Sequence, residues 1–251
     1  MHSAVRFDNA YREPVPLPGG ESVLVRLLKP GDRARLDQAF KGLSTHTRYQ
    51  RFHHAKSELT GEELRFFTNM DGWRHFALAA CRRTPGRAQE LVATARFVRT
   101  DVDDTAAEAA LTIADDWQGK GIGKVLLARL TEAAAERGIQ RLHFTFLHDN
   151  APARRLLENC DHYVTFGYLE SVIAAELHVP HEDQCAANRR AKQPKAYADS
   201  GGRPAAAPVL SPLTVGLSGF GTWMQHTRDM LGLIERWHGM TTYRTPQADA
   251  D

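Results

Sequence analysis

Up to about residue 179, the alternation of apolar and polar positions divides the chain into strands and short helices. "SVLVRLL" (22–28), "HFALAAC" (75–81), "ELVATARFVRT" (90–100) and "AAEAALTIAD" (106–115) have strand character, with a Pro-Gly turn at 85–86 between the second and third. "RLHFTFLHD" alternates Leu142, Phe144 and Phe146 against His143 and Thr145, and "HYVTFGYLESVIAAEL" supplies one or two more strands. Helical signals fall between them. Pro30 sits where a first helical turn tolerates it, predicting a helix to about Phe40. In "LTGEELRFF", Thr60 and Glu63 have capping-box spacing. Ile122, Val125, Leu126, Leu130, Ala133 and Ala134 recur at helical spacing from Gly121 to Arg137, and Gly138 suits the C-terminal cap. Asn150 caps the short helix "NAPARRLLEN". The order predicts a mixed α/β sheet of six to seven strands with helices on its faces.

The same pattern sets the expected boundaries. Residues 1–20 read as a tail and 21–179 as the folded domain. Residues 180–215, rich in Pro, Ala, Gly and charge, read as a linker. Residues 216–251 read as a helical segment, with Trp223, Met230, Ile234 and Trp237 near one face. Such a stripe must be buried: on its own domain, over the acceptor cleft, or on a second subunit in a homodimer.

Composition changes little. A net charge of +2 on 251 residues gives no reason to expect nucleic acid or membrane as a partner. Cys81, Cys160 and Cys185 have no metal-ligand spacing, and their scatter argues against a disulfide framework. The N-terminus has no apolar signal region, so a cytoplasmic protein is the expectation. The adjacent His53 and His54, and "HVPHEDQC" in the linker, are weak metal signals, and no metal is expected.

The candidate chemistry lies in "ADDWQGKGIGKVLLARLTEAAAERG" (114–138), where a strand runs into three glycines and a helix. Free N–H groups at a helix start, together with the macrodipole, favour a phosphate there. Three patterns compete. The P-loop needs a glycine where Gln118 stands and a hydroxyl where Val125 stands. The dinucleotide fingerprint fits Gly119 and Gly121 but meets Lys124 in place of its last glycine. Gln/Arg-x-x-Gly-x-Gly/Ala fits Gln118, Gly121 and Gly123 fully.

That third pattern resembles the pyrophosphate motif of the GNAT superfamily of acetyl-CoA-dependent N-acyltransferases. "AEAALTIADDWQGKGIGKVLL" is similar to the family's fourth strand, bulge, loop and helix, and Asn150-x-x-Ala153 to its Asn-x-x-Ala helix. The resemblance covers roughly residues 20–178. It implies a mostly antiparallel sheet with a parallel splay, and acetyl-CoA as co-substrate. It places the pantetheine arm along Leu111, Thr112 and Ile113, with an N–H of Ile113 or its neighbour on the thioester oxygen. Gln118, Gly119, Lys120, Gly121, Ile122, Gly123 and Lys124 would hold the pyrophosphate, and Asn150 the pantetheine or thiol.

An acceptor amine must lose its proton to attack, so a base is needed. Glu108, on the strand leading to the loop, is the candidate, because similar acetyltransferases place a glutamate there. Asp115 and Asp116 are expected to face solvent or a cap. The family's tyrosine acid is replaced by Leu157, and its Gly-Phe by Asp161 and His162. The acceptor side falls in residues 40–73. There "LSTHTRYQRFHH" resembles a stretch of bacterial protein-lysine acetyltransferases, while Tyr49, Phe52, Phe66, Phe67 and Trp73 read equally as core. The implied activity is direct acetyl transfer to a primary amine, on a small molecule or a protein lysine. The rival is a non-catalytic acyl-CoA-binding module.

Overall fold

The computed structural model describes residues 5–82, 88–101, 103–169 and 171–180. The Pro-Gly turn at 85–86, the linker and the tryptophan stripe lie outside them. Eight strands form one sheet: β1 (Arg12–Pro16), β2 (Ser22–Leu27), β3 (His75–Arg82), β4 (Glu90–Arg99), β5 (Ala106–Ile113), β6 (Arg141–Leu147), β7 (Val164–Leu169) and β8 (Val172–His178). Their order is β1-β2-β3-β4-β5-β6-β8-β7. Every pair is antiparallel except β5–β6. Among the described residues there are five α-helices: α1 (Arg33–Gly42), α2 (Thr45–Phe52), α3 (Gly61–Thr68), α4 (Ile122–Ala135) and α5 (Ala151–Glu158).

The helix caps follow the sequence signals. Thr60 and Glu63 exchange both capping-box bonds at α3, and Asn150 Oδ1 accepts from the Ala153 N–H at 3.1 Å. Gly121 and Gly138 bracket α4 with φ of 88° and 72°. Two expectations change. The sheet has eight strands because the N-terminal segment, expected as a tail, contributes β1. Phe7 and Tyr11 are buried there, and Arg137 donates to the Phe7 carbonyl at 2.9 Å, so the segment packs onto α4 and β3. Helix α2 was not legible, because "THTRYQRF" has low intrinsic helix propensity. It is held from outside: Asp115 accepts from the Ser44 N–H, Ser44 Oγ and Thr47 Oγ1 at 2.8, 2.6 and 2.7 Å.

The pleat gives the sheet two unlike faces. On one, Phe76, Leu78, Ala95, Phe97, Ala107 and Leu142 meet Leu126 and Leu130 of α4 in a continuous apolar core. The other, under α1 to α3, carries Thr94, Arg96, Glu108 and Thr112.

Candidate active site

The sheet splits at its centre. β5 pairs with β6 only from Ala106 to Glu108, opposite Arg141 to His143, while β4 follows β5 to Ile113. The Ala114 N–H donates to the Val92 carbonyl on β4, and the Thr105 carbonyl accepts from β6. Successive residues alternate sides, so Ala109, Leu111 and Ile113 present their backbone groups to the open side beyond the split. Thr112 turns its backbone to β4, and its side chain lines a cleft under α1 to α3. Of the expected Leu111–Thr112–Ile113 segment, two residues therefore address the slot. The Ile113 carbonyl accepts from Gln118 Nε2 at 3.2 Å, and the same amide reaches Thr47 Oγ1 at 3.2 Å.

At the end of β5 the chain makes a 3-10 turn (Asp115–Trp117) and enters the glycine loop. Gly119 and Gly121 have φ of 72° and 88°, which side chains rarely adopt. The first helical bonds run from the Lys124 and Val125 N–H groups to the Gly121 carbonyl. Among the described residues, no N–H from Gly119 to Gly123 donates to a backbone carbonyl. Gly123 serves packing instead. A Cβ there would lie 3.2 Å from Ile113 Cδ1 and 3.4 Å from Leu156 Cδ2, so its absence lets α4 close on β5 and α5. Lys120 pairs with Glu21 at 3.0 Å and lies over the Trp117 ring, whereas Lys124 is exposed.

Asn150 spends its carbonyl oxygen on the α5 cap. Beside it, Asp149 accepts from Gln50 Nε2 at 2.8 Å, tying α2 to the end of β6. Leu157 is buried in the α4-side core and is a packing residue. Tyr163 is 68% exposed against His178. His53 takes the left-handed position ending α2, with φ of 58°. Among the described residues, no group of three His, Cys, Asp or Glu side chains could hold a metal ion.

Glu108 stands at the last parallel pair, opposite His143, at the apex of the split. Glu108 is half-buried, and the loss of water pushes its pKa up to about 8, partly opposed by Arg51. His75, Val98, Glu108, His143, Glu176 and Thr165 form one register row across the sheet. His143 Nδ1 lies 3.6 Å from Glu176, which also meets His178 at 3.1 Å. Burial and the Arg96 charge hold His75 down at about 3. Sequence reasoning named Glu108 and did not name Arg51 or Arg96, which line the cleft under α1 to α3. The available signal was an arginine at an inward position in "ATARFV".

A split sheet that runs into a glycine turn and a helix start is the architecture of an α/β acyltransferase fold. Residues 43–161 match the acetyltransferase (GNAT) family. Acetyltransferase PA5475 of Pseudomonas aeruginosa is 31% identical over 144 residues, covering 57% of this chain and 75% of that protein. Acetyltransferase Pat of Mycolicibacterium smegmatis is 34% identical over 145 residues, 58% of this chain, which spans only 42% of that relative's length. The crystal structure of the GNAT domain of S. lividans PAT matches with a TM-score of 0.60 and 25% identity, over 66% of this chain and 96% of that one. The chain belongs to the GNAT family of acetyltransferases. The matched stretch is the part of this chain that corresponds to an acetyltransferase domain of that family. Among the described residues, no helix is long and apolar enough to cross a membrane.

Proposed function

We propose that this chain transfers an acetyl group directly from acetyl-CoA to a primary amine, with Glu108 as the general base. The observation that carries this is the position of Glu108 at the apex of the split, where the pairing of β5 with β6 ends. Pantetheine lies along the open backbone of Ala109, Leu111 and Ile113, and an N–H there faces the thioester oxygen as negative charge develops. The N–H groups of Gly119 to Gly123 hold the pyrophosphate at the start of α4. A carboxyl with a pKa of about 8 is a matched acceptor for an ammonium proton near neutral pH. The amine attacks the thioester carbon, its proton passes to Glu108 directly or through water, and the thiolate leaves. A lysine side chain of a protein is the finer reading of the acceptor, supported by the likeness of "LSTHTRYQRFHH" to that subgroup.

The test is thiol release from acetyl-CoA over a panel of lysine peptides, polyamines and small amines, with Gly121→Glu as the control. That substitution puts a side chain and a negative charge at a left-handed position facing the pyrophosphate. It should weaken acetyl-CoA binding by about a hundredfold or more, since the added carboxylate sets like charge against the phosphates. Binding of acetyl-CoA without turnover on any amine would favour the acyl-CoA-binding module.

A further inference from the structure

The buried arginines of this protein are treated differently from one another. Arg26 makes a two-pronged ion pair with Asp32 at 2.6 and 2.8 Å. Arg137 gives its protons to the carbonyls of Gly72, Ala133 and Phe7, and Arg99 to those of Trp73, Asp104 and Arg137. Arg96 is only 6% exposed, and its Nη1 has no hydrogen-bond partner. Its guanidinium lies 4.3 Å from the Phe67 ring centroid, and that ring cannot satisfy five donors. Arg51, from α2, borders the same cleft and is close enough to lower the pKa of Arg96. The charge of Glu108 acts on Arg51, whereas Arg96 feels no acid and only the like charge of Arg51. Among the described residues, Arg96 has no carboxylate partner.

The two arginines line a cleft, open to solvent, between the sheet and helices α1 to α3. Its remaining wall is mainly apolar: Leu36, Phe40, Phe52 and Phe67, with Thr94 and Thr112 on the sheet side. A buried guanidinium with an unused donor, beside a second, half-buried one on the same cleft, is a destabilising arrangement unless a ligand completes it. Guanidinium forks fit a planar carboxylate through paired hydrogen bonds. The apolar wall suits a carboxylate on a short hydrocarbon chain better than a strongly hydrated phosphate.

We infer that the Arg51–Arg96 cleft is a carboxylate-binding subsite, and that it receives a carboxylate on the acyl acceptor next to the amine presented to Glu108. The assignment to the acceptor rests on the acetyl-transfer reading; the binding of a carboxylate does not. An acceptor anchored in this way is an amine joined to a carboxylate through an apolar spacer, either a free amino acid or an acidic group beside a peptide lysine.

Butyrate titrated into the full chain, followed by calorimetry and thermal melting, tests the subsite. Saturable binding is expected, and Arg96→Met should weaken it about tenfold, the loss of a two-pronged charge-assisted contact. Arg51→Gln should weaken it also, and serves alone if Arg96→Met does not fold. Without butyrate, Arg96→Met should melt at or above the parent. No binding of butyrate, equal binding by the parent and the variant, or tighter binding of inorganic phosphate overturns the carboxylate subsite. Steady-state kinetics then locate the carboxylate. Butyrate should compete with the amine acceptor and not with acetyl-CoA. Competition with acetyl-CoA would put the carboxylate on the donor and overturn the acceptor assignment. An absence of acetyl transfer to any amine would instead sink the acetyl-transfer reading, leaving the calorimetry to decide the subsite.

Discussion

The two faces of the central sheet are built for opposite purposes. On the α4 side, Ala95, Phe97, Ala107 and Leu142 meet Leu126, Leu127 and Leu130, all at most 1% exposed. On the α1–α3 side the sheet buries Arg96, His143 and Glu176 and half-buries Glu108. The pleat assigns adjacent residues to opposite faces, so β4 and β5 serve stability and chemistry at once. The α4 face supplies transferable apolar burial. The other face holds charges in positions that cost stability, a usual mark of a functional surface.

The comparison can be broken most severely from the apolar side. Leu130→Ala removes a fully buried side chain between α4 and the sheet. It should lower the unfolding free energy by about 2–5 kcal/mol in urea denaturation. A loss under about 1 kcal/mol would mean that this face is not the stabilising one.

On the polar face, stability and activity should separate. Glu108→Gln should lower turnover at pH 7 by about tenfold or more, roughly 1.4 kcal/mol of barrier or above, with little change in acetyl-CoA affinity. Activity within twofold of the parent would assign the base elsewhere. Stability should move the other way. The folded pKa of about 8 lies above the ordinary carboxyl value of 4.5, so the folded state holds this proton more tightly than the unfolded chain does. The parent therefore loses stability relative to Glu108→Gln as pH rises from the unfolded value to about 8, with no further change above that. Paired melts across pH 5–9 measure this difference.

A milder change sharpens the boundary between the faces at the loop. Gly123→Ala forces a methyl against Ile113 and Leu156 at 3.2 and 3.4 Å. It should cost about 1 kcal/mol in stability, the low end for overpacking. Because it shifts the start of α4 away from β5, acetyl-CoA binding should weaken a few-fold. A loss of affinity with no loss of stability would show that Gly123 faces the ligand instead. The smallest effect should come from Arg51→Met. Arg51 lowers the Glu108 pKa, so its removal should move the acidic limb of the kcat/KM profile to higher pH. A downward movement would reverse the sign of that interaction.

Local chemistry explains what the sequence determined by itself. The capping pair Thr60 and Glu63, the Asn150 cap and the glycine turn before α4 each depend on neighbours within a few residues. The strand alternation in "ELVATARFVRT" likewise declared β4 and its two faces. Glu108 was named because it lies on the strand leading to the glycine loop, where the resemblance implies a glutamate. Tertiary structure decided the rest. Asp115 anchors α2, a segment with weak helix propensity of its own, and packing of residues 7–16 turns an expected tail into part of the sheet. The side of β5 that faces the split is a matter of pairing with β4, which is why Leu111 and Ile113 reach the slot and Thr112 does not. Arg51, Arg96 and Glu108 come from three separate elements, and their shared electrostatics arise only when α2 closes over β4 and β5. Periodicity reports which face a residue occupies, but a charge feels every buried neighbour, and those neighbours are brought together by the whole fold.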